Sequence, residues 1–266
     1  FGALNKASGA SSSAFGVSNN ALGSFASALG YQNTAAGYLG SAVGASNNAS
    51  ANYASAFGYG NTASGYVGNA IGSMNKASGS YGSALGYNNI ASGTKSNAVG
   101  NENEASNEYA NAIGAGNKTS GYASSAVGNN NKVTADFASA FGHSNDVSGY
   151  VANAVGMENN VSGDWSSAFG LYNQVSGEAS SAFGYANLVS GEEANAFGLS
   201  NNLQAKGSSA VGNNNTVSSS ATDSIALGNN TNVSLANSVA LGSNSAASAI
   251  NSVTGNSSYT KWAGVS

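Results

Sequence analysis

Side chains able to do chemistry are few. His143 is the only histidine among 266 residues, and there is no cysteine. A zinc site or a histidine-centred catalytic triad therefore lacks its other members, and His143 reads as a solvated corner residue. Carboxylates come next: Glu108, Asp136, Asp164, Glu178, Glu192 and Glu193, of which Asp164, Glu178 and Glu192 follow one another at intervals of 14. Stacked carboxylates are the raw material of a glycosidase pair or a weak Ca²⁺ site. No pocket is implied around them, however, and the Gly-Gly-x-Gly-x-Asp calcium nonapeptide is absent, so a solvated acidic stripe is the better reading. No catalytic, metal-binding or cofactor-binding residue is assigned. Aromatics are more informative. Tyr31, Tyr59 and Tyr87 recur every 28 residues, as do Phe25, Tyr53, Tyr81, Tyr109, Phe137 and Trp165; Tyr38 and Tyr66, then Tyr122 and Tyr150, keep the same interval. Rings in such columns pack on each other or across an oligomer, or they anchor a partner protein, for which Tyr and Trp combine area with a polar tip. The candidate partner-binding set is Tyr31, Tyr59, Tyr87, Tyr53, Tyr81, Tyr109, Tyr122, Phe137, Tyr150 and Trp165, with Phe137 and Trp165 the expected hot spots.

These columns exist because the whole chain repeats. An apolar residue followed by Gly recurs from Phe1-Gly2 and Phe15-Gly16 to Val211-Gly212 in fifteen consecutive periods of 14; one period of 16 reaches Leu227-Gly228 and one of 14 reaches Leu241-Gly242. Numbering the repeat from the apolar residue, slot 2 is Gly, slot 5 is Asn from Asn5 to Asn215, and slot 7 is Ala early and mostly Val later. Slots 8 and 9 are usually Ser-Gly, slot 13 is Ser or Asn, and slot 14 is Ala. Two glycines per 14 residues cost roughly 1 kcal/mol each in a helix, and no 3.6 period is sustained. The unit suits one solenoid coil with two short strands and two tight corners. Gly at slots 2 and 9 is expected to turn the corners. Asn at slot 5 is expected either to adopt the left-handed conformation or to stack into a side-chain ladder. The absence of Pro agrees with a parallel ladder that uses nearly every N–H.

Composition bounds the function. Only 7% of residues are charged, the net charge is −4, and Lys and Arg together number seven. That is too little basic charge for a nucleic-acid surface, and too little net charge for a disordered chain. No apolar run approaches a membrane-spanning length of about 18 residues, and no signal peptide is visible, so the sequence reads as a mature fragment. Much of the hydrophobic fraction of 41% is Ala, which buries little surface. Each coil offers one large and one small apolar side chain, slots 1 and 7, to face inward. Such a coil needs stacking for stability, and lateral association of apolar faces on an axis is expected. The spacing leaves open whether slot 1 faces the roll's own core or that axis. The lysines Lys6, Lys76, Lys95, Lys118, Lys132 and Lys206 read as scattered solubility charges, suited to guarding edges.

The repeat resembles the YadA-like head of trimeric autotransporter adhesins, whose motif runs roughly Asn-Ser-Val-Ala-Ile-Gly. The match is nearly letter for letter at Ser224-Ile225-Ala226-Leu227-Gly228 and Asn237-Ser238-Val239-Ala240-Leu241-Gly242. It is degenerate at Ser139-Ala140-Phe141-Gly142 with Asn145-Asp146-Val147-Ser148-Gly149. Slot 13 departs from the family, with Ser or Asn for its Val, and a hydrogen-bonded Ser/Asn ladder is expected there. The resemblance covers residues 1–246, about 17 coils. It implies an all-β fold, a left-handed parallel β-roll forming a homotrimer, with no enzymatic role and no cofactor. Further implications are attachment to an extracellular-matrix protein or epithelial surface receptor, and a place on the bacterial surface. Anchorage in the Gram-negative outer membrane would come through C-terminal regions outside this chain, with no direct membrane insertion by this fragment. Residues 247–266 break the period and are expected to begin a neck or connector, with Tyr259, Trp262 and Val265 as anchors, or else to be a frayed end. The competing function is a single-chain solenoid binding ice or glycan. Thr34, Thr62, Thr94 and Thr119 are too irregular for an ice-binding column, and the unbroken period leaves no loop to build a glycan-processing cleft.

Overall fold

The computed structural model describes residues 2–248 and divides the chain into two compact units, Phe1–Val151 and Ala152–Ser266. Residues 249–266, with the expected anchors Tyr259, Trp262 and Val265, lie outside the described residues. Each unit is a parallel β-solenoid. Among the described residues there is no helix, and the chain makes about 18 coils in all.

A regular coil holds a five-residue strand over slots 13 to 3, such as Ser83–Tyr87, and a two-residue strand over slots 6 and 7, such as Ile90–Ala91. Strands pair in parallel and in register with the same slots of the adjacent coils. In the first unit Ala84 and Leu85 face Ala98 and Val99; in the second Ala182 and Phe183 face Ala196 and Phe197.

Side-chain alternation along the long strand decides what is inside. In the inner coils slot 14 Ala points in and is buried, as are Ala or Val at slot 7 and Asn at slot 5. Slot 1 points out: Phe15, Ile71 and Phe141 in the first unit, and Phe197 and Leu241 in the second, are 41–49% exposed. The expected large-plus-small interior is thus corrected. Both inward apolar residues are small, because two backbones close on each other across the coil and leave no room for a slot-1 ring. The second unit takes Val161, Val175, Val189 and Leu203 at slot 7, where the first takes Ala in most coils and Val133 and Val147 in its last two. Each Ala-to-Val change adds two carbons to the core, worth ~1.6 kcal/mol at about 0.8 per CH₂.

The corners also differ from expectation. The left-handed residues are at slots 4 and 11, seven apart, and most are not Gly: Ser46, Asn88 and Glu102 at slot 4, Tyr53, Tyr81 and Phe137 at slot 11, with φ of 52–60°. There the backbone N–H turns back to a carbonyl of the preceding coil, as in Asn88 to Ser73 (2.9 Å) and Tyr81 to Tyr66 (2.7 Å). The coil is therefore two similar halves of seven residues. Slot 2 Gly has positive φ throughout; a Cβ on Gly86 (φ 116°) would also lie 2.0 Å from the Gly100 carbonyl oxygen. At slot 9 it is close approach, not φ, that favours Gly: a Cβ on Gly79 would lie 1.9 Å from the Gly93 oxygen. This demand is softer, since Ala51, Asn107 and Ala135 occupy the same slot.

Slot 5 is a ladder, not a left-handed corner. Asn75 Nδ2 donates to Asn61 Oδ1 (3.0 Å), to the Ile71 carbonyl (2.9 Å) and to the Gly86 carbonyl (2.7 Å). Its Oδ1 accepts the backbone N–H and the Nδ2 of Asn89, both at 3.0 Å. The pattern runs through the first unit from Asn5 and through the second to Asn215, where Thr231 ends it by donating its Oγ1 to Asn215 Oδ1 (2.7 Å). No buried side-chain N or O among the described residues lacks a partner. The Ser/Asn ladder expected at slot 13 does not form as a continuous column. Asn97 donates to Asn111 (2.8 Å), but Asn69, Asn111 and Asn195 donate to the slot-11 carbonyl of their own coil.

Replacing Asn75 by Ala removes the acceptor of two Asn89 donors and a donor to two carbonyls in a buried site. A loss on the order of 3 kcal/mol is expected, from about 1–3 per orphaned group. Native-state hydrogen exchange checks this, with the Asn89 amide accelerating most.

Candidate functional site

With a core mainly of Ala, Val and Asn, the large side chains other than Leu203 lie on the surface, and two separate columns concentrate them. The first is the outer face of the long strand. Slot 1 supplies an apolar column flanked by slot 3, where Tyr31, Tyr59 and Tyr87 are 50–54% exposed. In the second unit the slot-1 rings Phe169, Phe183 and Phe197 stack flat at 4.8 and 4.7 Å between centroids, 1° from parallel. His143 sits on this face as well, exposed at slot 3.

The second column runs along the slot 10–11 corner of the first unit. Phe25, Tyr38, Tyr53, Tyr66 and Tyr81 alternate between slots 11 and 10 and meet edge to face, with centroids 5.5–5.8 Å apart and planes at 79–86°. Tyr109, Tyr122, Phe137 and Tyr150 continue in the same way at 5.4–5.8 Å. Between the two runs, where the alternation calls for a slot-10 ring, Thr94 and Lys95 stand instead. Lys95 attaches to the second run: its Nζ donates to the Tyr109 hydroxyl (2.8 Å) and lies 4.8 Å from that ring's centroid. The hydrogen bond to Tyr109 raises the Lys95 pKa above the ordinary lysine value. The rings stay 36–51% exposed, apart from the half-buried Tyr122.

The structure therefore brings Tyr53, Tyr81, Tyr109, Tyr122, Phe137 and Tyr150 onto one corner and leaves Tyr31, Tyr59 and Tyr87 on a different face. Trp165 belongs to the second unit and is 55% exposed. Phe25, Tyr38, Tyr66 and Lys95 complete the corner column without having been among the candidate residues. Strict alternation of slots 10 and 11 was the signal for the three rings, and the break in it was the signal for Lys95.

Charged side chains pair across coils. Lys118 meets Glu104 at 3.9 Å and Lys132 meets Asp146 at 3.1 Å, while in the second unit Lys206 meets Glu192 at 2.6 Å and Glu193 at 3.8 Å. These lysines are therefore rungs rather than scattered charges, although exposed pairs of this kind contribute little. Glu192, expected in an acidic stripe, is taken up by Lys206, whose pKa is raised by that hydrogen bond. Glu104, Lys118 and Lys132 border a shallow groove of about 200 Å³ with Ser106, Ser120 and Thr134. Among the described residues no three His, Cys, Asp or Glu side chains are grouped to hold a metal, and no helix is long and apolar enough to cross a membrane.

A single tyrosine in the corner column touches rings on both sides, and each edge-to-face pair contributes about 0.5–1.5 kcal/mol beyond area. Tyr53→Ser is expected to destabilise the fold by about 1–2 kcal/mol. A double-mutant cycle with Tyr66→Ser, read by thermal melts, should return a coupling within the single-pair range.

Comparison with known proteins agrees with this architecture. No curated protein matches the chain. The YadA head domain repeat (2 copies) matches residues 7–33, 70–89, 120–145, 204–231, 219–245 and 236–253. Heads of this family are non-enzymatic and trimeric in general, and belong to surface-exposed autotransporters anchored in the outer membrane. The matched segments recur from one end of the chain to the other, and the 14-residue period runs on between them, so the chain carries YadA head repeats along its length, which supports a YadA-like head domain.

Proposed function

We propose that this chain is the head of a trimeric autotransporter adhesin that attaches bacteria to an extracellular-matrix protein or a host cell-surface receptor. In this reading three left-handed rolls associate through the outer faces of their long strands. The observation that carries it is the exposed slot-1 column. A continuous line of Phe, Leu, Ile and Val is unusual on a solitary soluble chain and is what a partner surface looks like. Slots 13 and 3 border it with Ser, Asn and Tyr, as a polar rim borders an interface core. Identical columns meeting on a threefold axis satisfy one another, and the same symmetry repeats every surface rung three times. Weak contacts to a host molecule then add through effective concentration. No catalysis is assigned: the work is done by display. The outer membrane holds the head through regions C-terminal to it.

The solution mass tests this reading. Sedimentation of the chain is expected to give the mass of three chains. Phe141→Asp places a carboxylate in the proposed interface on a side chain that is already outside the coil's own core, so it should lower the mass toward one chain while strand content persists. A wild-type monomer would overturn the trimer and turn attention to glycan and ice binding.

A further inference from the structure

Tyr31, Tyr59 and Tyr87 are rings that neither the coil's own packing nor the corner column employs. They stand two coils apart, about 9.6 Å at strand spacings of about 4.8 Å, with Ala45 and Ser73 in slot 3 between them. Each is 50–54% exposed. Unlike the corner rings they touch no other ring, and their hydroxyls make no hydrogen bond among the described residues.

Slot 13, on the opposite border of the same face, varies with them. In the first unit the strands that end in these tyrosines begin with Ser27, Ser55 and Ser83. Asn holds slot 13 there only at Asn69, Asn97 and Asn111, where slot 3 is Ser73, Asn101 or Ala115. In the second unit Tyr185 again shares its strand with Ser181. Within a strand the two slots lie four residues apart, about 13 Å, with slot 1 between them, so they do not compete for space in one chain.

Three copies around an axis do bring them together. With slot 1 toward the axis, slot 13 lies on one flank of each chain and slot 3 on the other. A closed ring then sets the slot-3 flank of one copy against the slot-13 flank of the next. With the layers level, Tyr31, Tyr59 and Tyr87 meet Ser27, Ser55 and Ser83. A slip of one coil brings Asn69 under the rings in one direction, and Asn69 with Asn97 in the other. The slot-1 column, apolar in every coil, resists such a slip only weakly, whereas bulk set against bulk opposes it.

We infer that Tyr31, Tyr59 and Tyr87 seat on the slot-13 serines of a second copy of this chain and set the axial register of the assembly. The inference rests on the trimer of the proposed function and turns these tyrosines toward a sister chain rather than a host molecule. A double-mutant cycle in the full chain tests it, with self-association followed by sedimentation over a concentration series. Ser55→Asn puts bulk under Tyr59 of the next copy, and Tyr59→Ser removes the ring; Asn69 and Ser73 hold the same slots in the following coil, so the coil path is kept. Each single change is expected to weaken association about tenfold, and the double variant to return to within about threefold of wild type. Ser41→Asn, in the layer of Ala45, should leave association unchanged. Additive losses in the double variant, no loss from Ser55→Asn, or an equal loss from Ser41→Asn overturns the contact, since positions 55 and 59 are too far apart to couple within one chain. A wild-type monomer overturns the trimer itself, whereas a three-chain head with an additive cycle refutes this inference alone.

Discussion

Each slot-5 asparagine ties together its own coil and the coils on either side of it, through the neighbouring asparagines and backbone carbonyls. The remaining structure depends on that column. It lies buried where two strands close on each other, and it satisfies donors and acceptors that would otherwise be left unpaired. Because each amide must reach the same atoms one coil on, the period is held at 14 residues through most of the chain. Where it becomes 16, Thr231 accepts a reduced role, making two contacts to Asn215 and passing no amide forward.

A coil narrow enough for this network has no interior to speak of. Ala, Val and Asn fill it, and the large apolar residues at slot 1 are turned outward by strand alternation. The hydrophobic effect thus acts along the stack and, in the proposed trimer, between chains, more than within one coil. Stability is spread over many equal contacts, as in other repeat proteins. The surface becomes a lattice on which a residue type chosen for a slot recurs at constant spacing. Such a lattice suits adhesion, where multiplicity substitutes for any single strong contact.

The corner column shows two demands in competition. The left-handed turn at slot 11 directs a backbone N–H to the previous coil, as from Tyr53 to Tyr38 (2.8 Å), and is best served by Gly or Asn. Aromatics hold the slot instead in alternate coils of the first unit, and edge-to-face contact lets the ring of one coil rest against the next. Where a ring is missing, Lys95 takes the place, its cation over the next ring, Tyr109, and bonded to that ring's hydroxyl.

The 14-residue period, the absence of Pro, and Gly at slot 2 were enough to specify a parallel solenoid, since only stacked coils reconcile those features. Asn at a constant slot already pointed to a ladder, though not to its exclusion from the left-handed corners. Those corners were illegible because slots 4 and 11 hold ordinary residues, Tyr81 and Glu102 among them; their φ is imposed by cross-coil hydrogen bonds rather than by local preference. The direction of slot 1 was equally hidden. An apolar residue beside Ala and Gly reads as core, and only the approach of two backbones across the coil shows that the core accepts Ala84 and turns Leu85 out. The aromatic intervals were visible as numbers, but their meaning was decided in three dimensions. Phe25 and Tyr38, 13 apart, and Tyr38 and Tyr53, 15 apart, touch because stacking converts distance along the chain into one strand spacing.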